Sequence, residues 1–149
     1  MKKWFLGLGM AAALVAVAAV GAKDKDAIVG EWYNDIKSSK LMVYEEGGKY
    51  HGKVVWLETT TNEDGSSPRV DEHNPDPELA KRELMGMVIL QDLEWDEDDQ
   101  EWEDGTIYDP KSGKTYSCYC YIQDDGSLYF KGYILGLPFL GRSTTWTRP

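Results

Sequence analysis

Gly30-Glu31-Trp32 lies within residues 28–34, the first of several short segments in which polar and apolar residues alternate or apolar residues run together. Such segments, divided by turn signals and with almost no long run of helical period, are typical of antiparallel barrels and sandwiches. On this pattern we expect eight strands, at residues 28–34, 40–46, 49–57, 87–90, 102–108, 114–123, 127–135 and 140–147. Eight strands close into a barrel that holds either side chains or one small ligand.

One connection between these strands is much longer than the others. Turn sequences rich in Gly and Asp explain several short connections, at residues 46–48, 109–113 and 124–126. Residues 58–86 are too long for a plain hairpin loop, and loops of this size in compact domains are usually functional or disordered. Within this connection, residues 74–82 predict one short helix, with Asp76 as its candidate N-cap and Pro77 at its first position.

The N-terminus has the form of a secretory signal peptide. Residues 1–3 are cationic, residues 4–20 are almost entirely apolar, and residues 20–22 place small side chains where a signal peptidase cleaves. We expect cleavage after Ala22, which leaves residues 23–149 as one domain. A retained anchor is the alternative, but about 17 apolar residues is at the lower limit for a membrane span. A periplasmic or secreted protein without a stable membrane anchor is therefore expected.

The chain is strongly acidic. Its 16 Lys and Arg residues against 26 Asp and Glu residues give a formal net charge of −10. Cleavage after Ala22 removes Lys2 and Lys3, which leaves 14 basic and 26 acidic side chains and a charge of −12. A surface this acidic repels phosphate backbones and anionic membrane faces. We therefore expect no nucleic-acid partner.

Four groups of residues carry a family resemblance. They are Gly30-x-Trp32, then Asn74-Pro75-Asp76-Pro77 with Arg82 and Leu84-x-Gly86, then Gly105-x-Ile107-Tyr108-Asp109-Pro110-x-x-Gly113-Lys114-x-Tyr116, and finally Gly132-Tyr133, Gly141-Arg142 and Trp146-Thr147-Arg148. Together with the export signal, they resemble a bacterial family of small secreted proteins whose function is uncharacterised. The resemblance covers nearly all of residues 23–149 and implies a single lipocalin-like β-barrel in a Gram-negative envelope. It implies no known reaction.

The same resemblance implies a structural clasp at the closed end of the barrel. In lipocalin-like barrels the Trp of the Gly30-x-Trp32 motif plugs the closed end, and an Arg late in the chain packs across its ring. Arg148 is the first candidate for that role and Arg142 the second. A cation over an indole face stabilises a protein by ~0.5–2 kcal/mol, depending on desolvation. We therefore expect these residues to be structural.

Alternation along the strands predicts an inner face rich in aromatic side chains. We expect it to include Tyr50, Val54, Trp56, Tyr116, Cys118, Cys120 and Phe130. Such a lining fits both the filled core of a barrel and a pocket for an apolar ligand, and alternation does not separate the two. The main hypothesis is a periplasmic lipocalin-like protein that binds a small apolar or amphiphilic molecule in the barrel.

The opposite face of the sixth and seventh strands supports an alternative function. There Tyr119, Tyr121, Tyr129 and Tyr133 would form an outward aromatic patch, the kind of surface that marks protein interfaces. On this hypothesis the chain is an envelope protein–protein interaction module, and a homodimer is one form of it.

Asp76, Arg82 and Asp109 are the only residues that support an enzyme. A pair of carboxylates could serve glycoside hydrolysis if these residues meet in space. The favoured interpretation is a structural network, in which Arg82 binds a carboxylate through its planar fork and ties residues 74–86 to the barrel. No nucleophile is accompanied by an obvious base, so we expect no catalytic residues and no cofactor.

Signals for a metal or redox site are weak. Residues 94–104 contain eight carboxylates, which favours a solvated hairpin tip, with a weak calcium site as the alternative. His51 and His73 lack the convergent partners that zinc needs, so we expect no metal site. Cys118 and Cys120 point to the same face of a strand, too far apart for an unstrained disulfide. Two buried thiols are therefore favoured over a redox-active pair.

Overall fold

The computed structural model describes residues 23–149, so the predicted signal peptide at residues 1–22 lies outside the described residues. The chain forms eight β-strands: β1 (Gly30–Tyr33), β2 (Ser39–Glu46), β3 (Lys49–Leu57), β4 (Val88–Asp96), β5 (Glu101–Asp109), β6 (Lys114–Ile122), β7 (Leu128–Ile134) and β8 (Leu137–Trp146). A single 3-10 turn, Leu79–Lys81, lies in the long connection between β3 and β4. The prediction of an all-β fold with eight antiparallel strands and one short helix is confirmed.

Each strand pairs with the next along the chain, in the order β1 to β8, and every pair is antiparallel. The sheet curls into a half-barrel whose two edges meet at an isolated bridge between Tyr33 and Thr147. The amide of Tyr33 donates to the carbonyl of Thr147 at 2.8 Å, and the reciprocal bond is 3.1 Å. Because β1 has four residues and β8 has ten, the part of β8 furthest from this bridge has no second neighbour among the described strands.

The core fills the concave face of the sheet. Alternate side chains of the strands point inward and pack on one another, and the buried set is Ile28, Trp32, Leu41, Val43, Tyr50, Val54, Leu90, Leu93, Trp102, Cys118, Cys120, Leu128, Phe130 and Trp146. Two close ring contacts lie within or beside it: Phe130 on Trp146 at 4.3 Å and Trp95 on Trp102 at 4.6 Å between centroids. Large buried rings supply much of the apolar area that stabilises a domain of this size.

The segment before β1 closes one end of the half-barrel. Three core rings each donate a hydrogen bond to it: the indole of Trp32 to the carbonyl of Ile28 at 2.8 Å, the indole of Trp102 to the carbonyl of Lys25 at 3.0 Å, and the hydroxyl of Tyr50 to the Asp26 carboxylate at 2.6 Å. Buried indole and phenol groups need such partners, because an unpaired buried donor costs about 1–3 kcal/mol. The segment therefore completes the core.

Arg148 clasps this closed end. Its guanidinium carbon lies 3.8 Å from the centroid of the Trp32 ring, and its nitrogens donate to the carbonyls of Ala27 at 2.6 Å and Glu31 at 3.1 Å. Gly30 has φ +120°, and a Cβ built there would lie 2.7 Å from a guanidinium nitrogen, so the clasp requires glycine at this position. Arg142 is instead exposed on β8, opposite Gly132.

Bulges interrupt the alternation of β4 and β5. Asp92 and Asp104 have positive φ values, 62° and 59°, and both lie where the pairing register shifts. β4 therefore continues to Asp96, well beyond the predicted end at residue 90, and Leu93 is fully buried. A bulge adds one residue to a strand and reverses which side chains face inward beyond it.

The long connection between β3 and β4 contains little regular structure. Its 3-10 turn is three residues long, and the Asp76 carboxylate accepts a hydrogen bond from the amide of Glu78 at 2.9 Å just before it. Within residues 23–149, no helix combines the length and apolar character needed to cross a membrane.

Replacement of Arg148 by Met tests the clasp. The variant loses the cation over Trp32 and two hydrogen bonds from a charged donor, so we expect the free energy of unfolding to fall by about 2 kcal/mol, given the partial exposure of the guanidinium. Urea denaturation followed by Trp fluorescence measures this change. Arg142→Met is the matched control, expected to change stability by less than about 0.5 kcal/mol. Equal losses in the two variants would contradict the clasp.

Candidate functional site

Most of the predicted barrel lining is packed core. Tyr50, Val54, Cys118, Cys120 and Phe130 point inward, and none is more than 4% exposed. Their side chains touch one another and the rest of the core. The inner face at this end of the half-barrel is filled, which is the first of the two alternatives that alternation left open.

The other two predicted lining residues lie elsewhere. The prediction that Trp56 faces inward is wrong: the register shift between Lys40 and Leu41 pairs Trp56 with Lys40, and its ring meets Tyr33 edge-on at 5.8 Å between centroids. Tyr116 is only partly buried and pairs with Ile107, on the inner face beyond the packed core.

The two cysteines are free and fully buried. Burial raises the pKa of the Cys118 thiol and raises that of Cys120 well above its usual value. A thiol acts as a nucleophile only when it is deprotonated, so both side chains are small apolar core residues in chemical terms. This agrees with the favoured prediction of two buried thiols.

The main candidate site lies outside the barrel. A cleft of about 310 Å³, which we name the outer cleft, separates the long connection from the sheet and is lined by Asn74, Pro75, Leu79, Arg82, Met87, Val88, Ile89, Gln91, Thr106, Tyr108, Gly113 and Thr115. Thr106 pairs with Gln91 and lies between the inward Gly105 and Ile107, so this part of the lining belongs to the convex face. A second, shallower hollow of about 420 Å³ lies beside Lys23 and the turn between β6 and β7.

A buried carboxylate fixes one side of the outer cleft. Asp71 is fully buried and accepts hydrogen bonds from the Tyr108 hydroxyl at 2.7 Å and the Asn74 amide at 2.9 Å. Arg82 lies 3.6 Å from the same carboxylate and supplies the compensating charge. We call these four residues the Asp71 brace. Burial, then the bond to Asp71, raises the pKa of Tyr108 to about 12, so the phenol keeps the proton that it donates.

In the structure, the partners of Arg82, Asp76 and Asp109 differ from those of the network expected from the sequence. Arg82 does bind a carboxylate, but its partner is Asp71, and neither Asp76 nor Asp109 forms an ion pair with Arg82. The Asp76 carboxylate accepts the amide of Glu78, and the Asp109 carboxylate accepts the amide of Lys111 and the hydroxyl of Ser112, so each serves its own turn. Short polar side chains at turns bind locally in this way.

Two groups of titratable side chains lie close enough to hold a cation. Asp96, Asp99 and Glu103 converge beside the turn between β4 and β5, and Glu63, Glu72 and His73 converge on the long connection. Hydrogen bonding to Glu101, followed by burial and hydrogen bonding to Asp99, raises the pKa of Glu103 to about 8. His51 lies apart from both groups and accepts a hydrogen bond from the amide of Asp92 at 3.3 Å.

The convex face of β6 and β7 carries a row of tyrosines. Tyr121 stacks on Tyr129 at 4.7 Å between centroids, and Tyr119 lies 6.2 Å from Tyr129 and 6.1 Å from Tyr133. All four are partly buried against one another. We refer to these four residues as the tyrosine row.

Removal of the buried carboxylate tests the Asp71 brace. Asp71→Ala strands the donors of Tyr108 and Asn74 and leaves Arg82 without its partner, so we expect a loss of about 3 kcal/mol in the free energy of unfolding. Tyr108→Phe should lose only about 1 kcal/mol. Chemical denaturation measures both. Glu58→Gln, an exposed change at the start of the same connection, is the control, and an equal loss there would refute the brace.

A raised pKa at Glu103 predicts a pH-dependent stability. The folded protein holds this proton up to about pH 8, whereas the unfolded chain releases it near its ordinary value of about 4.3. The contribution of Glu103 is therefore complete below the unfolded pKa and is lost as the pH rises towards 8. Urea midpoints of the wild type should fall over that range more steeply than those of Glu103→Gln. An unchanged slope in Glu103→Gln, or the same flattening in Asp98→Asn, would contradict the assignment.

Comparison with known proteins agrees with this geometry. The solved structure of protein HP1028 from the human pathogen Helicobacter pylori, described as belonging to the lipocalin family, is similar to the chain with a TM-score of 0.68 and 27% identity, over 81% of this chain and 82% of that one. A search among curated proteins gave no match. The model of a family described as uncharacterized protein conserved in bacteria (DUF2147) matches residues 30–148. With the family model spanning the whole sheet, the chain belongs to DUF2147 and has a lipocalin-like fold.

Proposed function

We propose that the protein binds a small amphiphilic molecule in the outer cleft of its lipocalin-like half-barrel. The observation that carries the proposal is the cleft itself, about 310 Å³ in volume and lined by both apolar and hydrogen-bonding side chains. Sites for small molecules usually measure ~300–1,000 Å³, so this one suits a small ligand. The lipocalin fold is associated with small hydrophobic ligands, which supports a binding role.

The lining favours a neutral polar group joined to a short apolar part. Leu79, Met87 and Ile89 offer apolar contact, while Gln91 and Thr106 offer hydrogen bonds from the sheet. The charge of Arg82 is already matched by Asp71, and the chain carries a net charge of −10, so an anionic ligand gains little here. A hydroxyl, amide or carbonyl group is the expected head of the ligand.

The packed core argues for this cleft over the barrel interior, where the ligand was first expected. Five of the seven predicted lining residues are no more than 4% exposed, and a ligand would have to displace them. Closely packed interiors resist such a displacement, because each lost contact destabilises the fold. The cleft needs no rearrangement of the core.

The proposal also includes a periplasmic location and a binding role without catalysis. An exported protein, cleaved after Ala22 and released into the periplasm, would meet small amphiphilic molecules there; the cationic start, apolar run and small residues of the sequence support this step. A binding role without catalysis is supported by the buried, protonated thiols and by the engagement of Asp71 in the brace.

The tyrosine row supports a second candidate, an interaction module that includes self-association. Tyrosine is enriched at protein interfaces, where its ring gives apolar area and its hydroxyl a hydrogen bond. The stacking of Tyr121 on Tyr129 already satisfies part of that apolar area within one chain, and for this reason we rank the ligand-binding role first.

Native mass spectrometry of protein purified gently from periplasm tests the ligand, the processing and the oligomeric state together. We expect a monomer that starts at Lys23 and carries one small molecule, which denaturing analysis then releases. Thr115→Trp should fill the cleft, and Leu79→Glu should place a charge on its apolar rim, so each should lower occupancy about tenfold. A bare chain would contradict the ligand proposal, and a dimer would favour the tyrosine row.

Matched variants locate the ligand. Ile36→Glu makes the same change as Leu79→Glu at an exposed aliphatic residue that does not line the cleft, and should retain the wild-type occupancy. Tyr116→Ala alters the inner face and should also retain it. Loss of the ligand in Tyr116→Ala, with full occupancy in Thr115→Trp, would place the site inside the barrel and overturn the cleft.

A further inference from the structure

The hairpin that joins β7 to β8 ends in an uncharged apolar tip. Five of the nine exposed large apolar residues within residues 23–149 lie in it, with exposed fractions from 38% to 82%: Ile134, Leu135, Leu137, Phe139 and Leu140. Scattered exposed apolar residues are ordinary, but a contiguous group on one protruding turn marks a contact surface. We name residues 134–140 the apolar tip.

The backbone of the tip is poorly suited to pairing with a further strand. Ile134 pairs with Leu137 across a two-residue turn, with φ +81° at Gly136, and the register then shifts, so that Pro138, Phe139 and Leu140 have no partner on β7. Pro138 lies on the free edge of β8 and has no amide proton to offer a further strand. A second copy of the chain would therefore add poorly to this edge.

Charge changes along the sequence before the tip. The chain contains no Asp or Glu after Asp125, although its net charge is −10. Lys131 and Arg142 stand at the base of the hairpin, where Lys131 pairs with Ser143 and Arg142 with Gly132. Alternation therefore places one cation on each face. An apolar tip followed by cations is the order in which side chains meet acyl chains and then phosphate groups at a bilayer surface.

We propose that the apolar tip inserts into the surface of a lipid bilayer, with Lys131 and Arg142 at the level of the lipid phosphates. This goes beyond ligand binding in the outer cleft and does not depend on it. The acidic remainder of the chain is repelled by an anionic surface, so the hairpin enters first and the rest of the domain stays outside. Docking is reversible because only a few apolar side chains enter the bilayer.

A site-specific fluorophore tests this in the full chain, where residues 4–20 are themselves apolar and would obscure simple sedimentation. Leu135→Cys is labelled with an environment-sensitive dye, while Cys118 and Cys120 are protected by burial. With vesicles of phosphatidylethanolamine and phosphatidylglycerol, we expect a blue shift at residue 135 and quenching by spin-labelled acyl chains. The same dye at Ile36→Cys, another exposed aliphatic position, should not respond.

Second variants separate the contributions. Phe139→Ser, added to the labelled chain, should weaken partition about tenfold because one buried aromatic side chain is lost. Replacement of Lys131 and Arg142 by Gln should weaken binding to anionic vesicles more than to phosphatidylcholine vesicles. The proposal would be overturned by an unresponsive dye at residue 135 or by an equal response at residue 36. A blue shift that rises with protein concentration without lipid would also overturn it and would identify a second copy as the partner.

Discussion

Burial of aromatic rings at the closed end is the constraint on which the half-barrel depends. Trp32, Tyr50 and Trp102 are almost completely buried, and each directs its polar atom to the segment before β1. Burial of these rings stabilises the fold only if their donors are paired, so the core depends on the segment before β1. Because the rings fill the inner face at this end, this face serves stability.

The cost of burying polar groups also bears on the Asp71 brace on the convex face. A buried ion pair is not in itself a gain in stability, since the desolvation of both charges offsets their attraction. The brace contributes geometry: Asp71 joins Asn74 and Arg82 of the long connection to Tyr108 of β5. A loop with only one 3-10 turn thereby acquires a fixed position against the sheet, which gives the outer cleft a defined wall.

The sequence was informative about the sheet and less so about the cleft. Alternation and turn residues predict eight strands, because each strand contrasts a buried face with an exposed one. Bulges have no such signal in the sequence. The extra residue before Trp56 and the bulge at Asp92, with its positive φ, reverse which side chains face inward beyond them. Asp71 has no local signature either, since its burial arises from Tyr108 and Arg82, which are distant in sequence.

The two edge strands of the sheet, β1 and β8, differ in length, and this difference explains the exposure of the last hairpin. A four-residue β1 cannot cover a ten-residue β8, so the outer part of β8 stays free and its hairpin projects. A free edge next to exposed apolar side chains invites self-association, which natural sheets counter with proline, charge and short pairing. Pro138 and Arg142 lie on this edge, and a net charge of −10 makes two copies repel each other. Five of the nine exposed large apolar residues within residues 23–149 lie at the tip, after the last acidic residue of the chain, and this contrast favours a bilayer over another acidic chain as the surface that the tip meets.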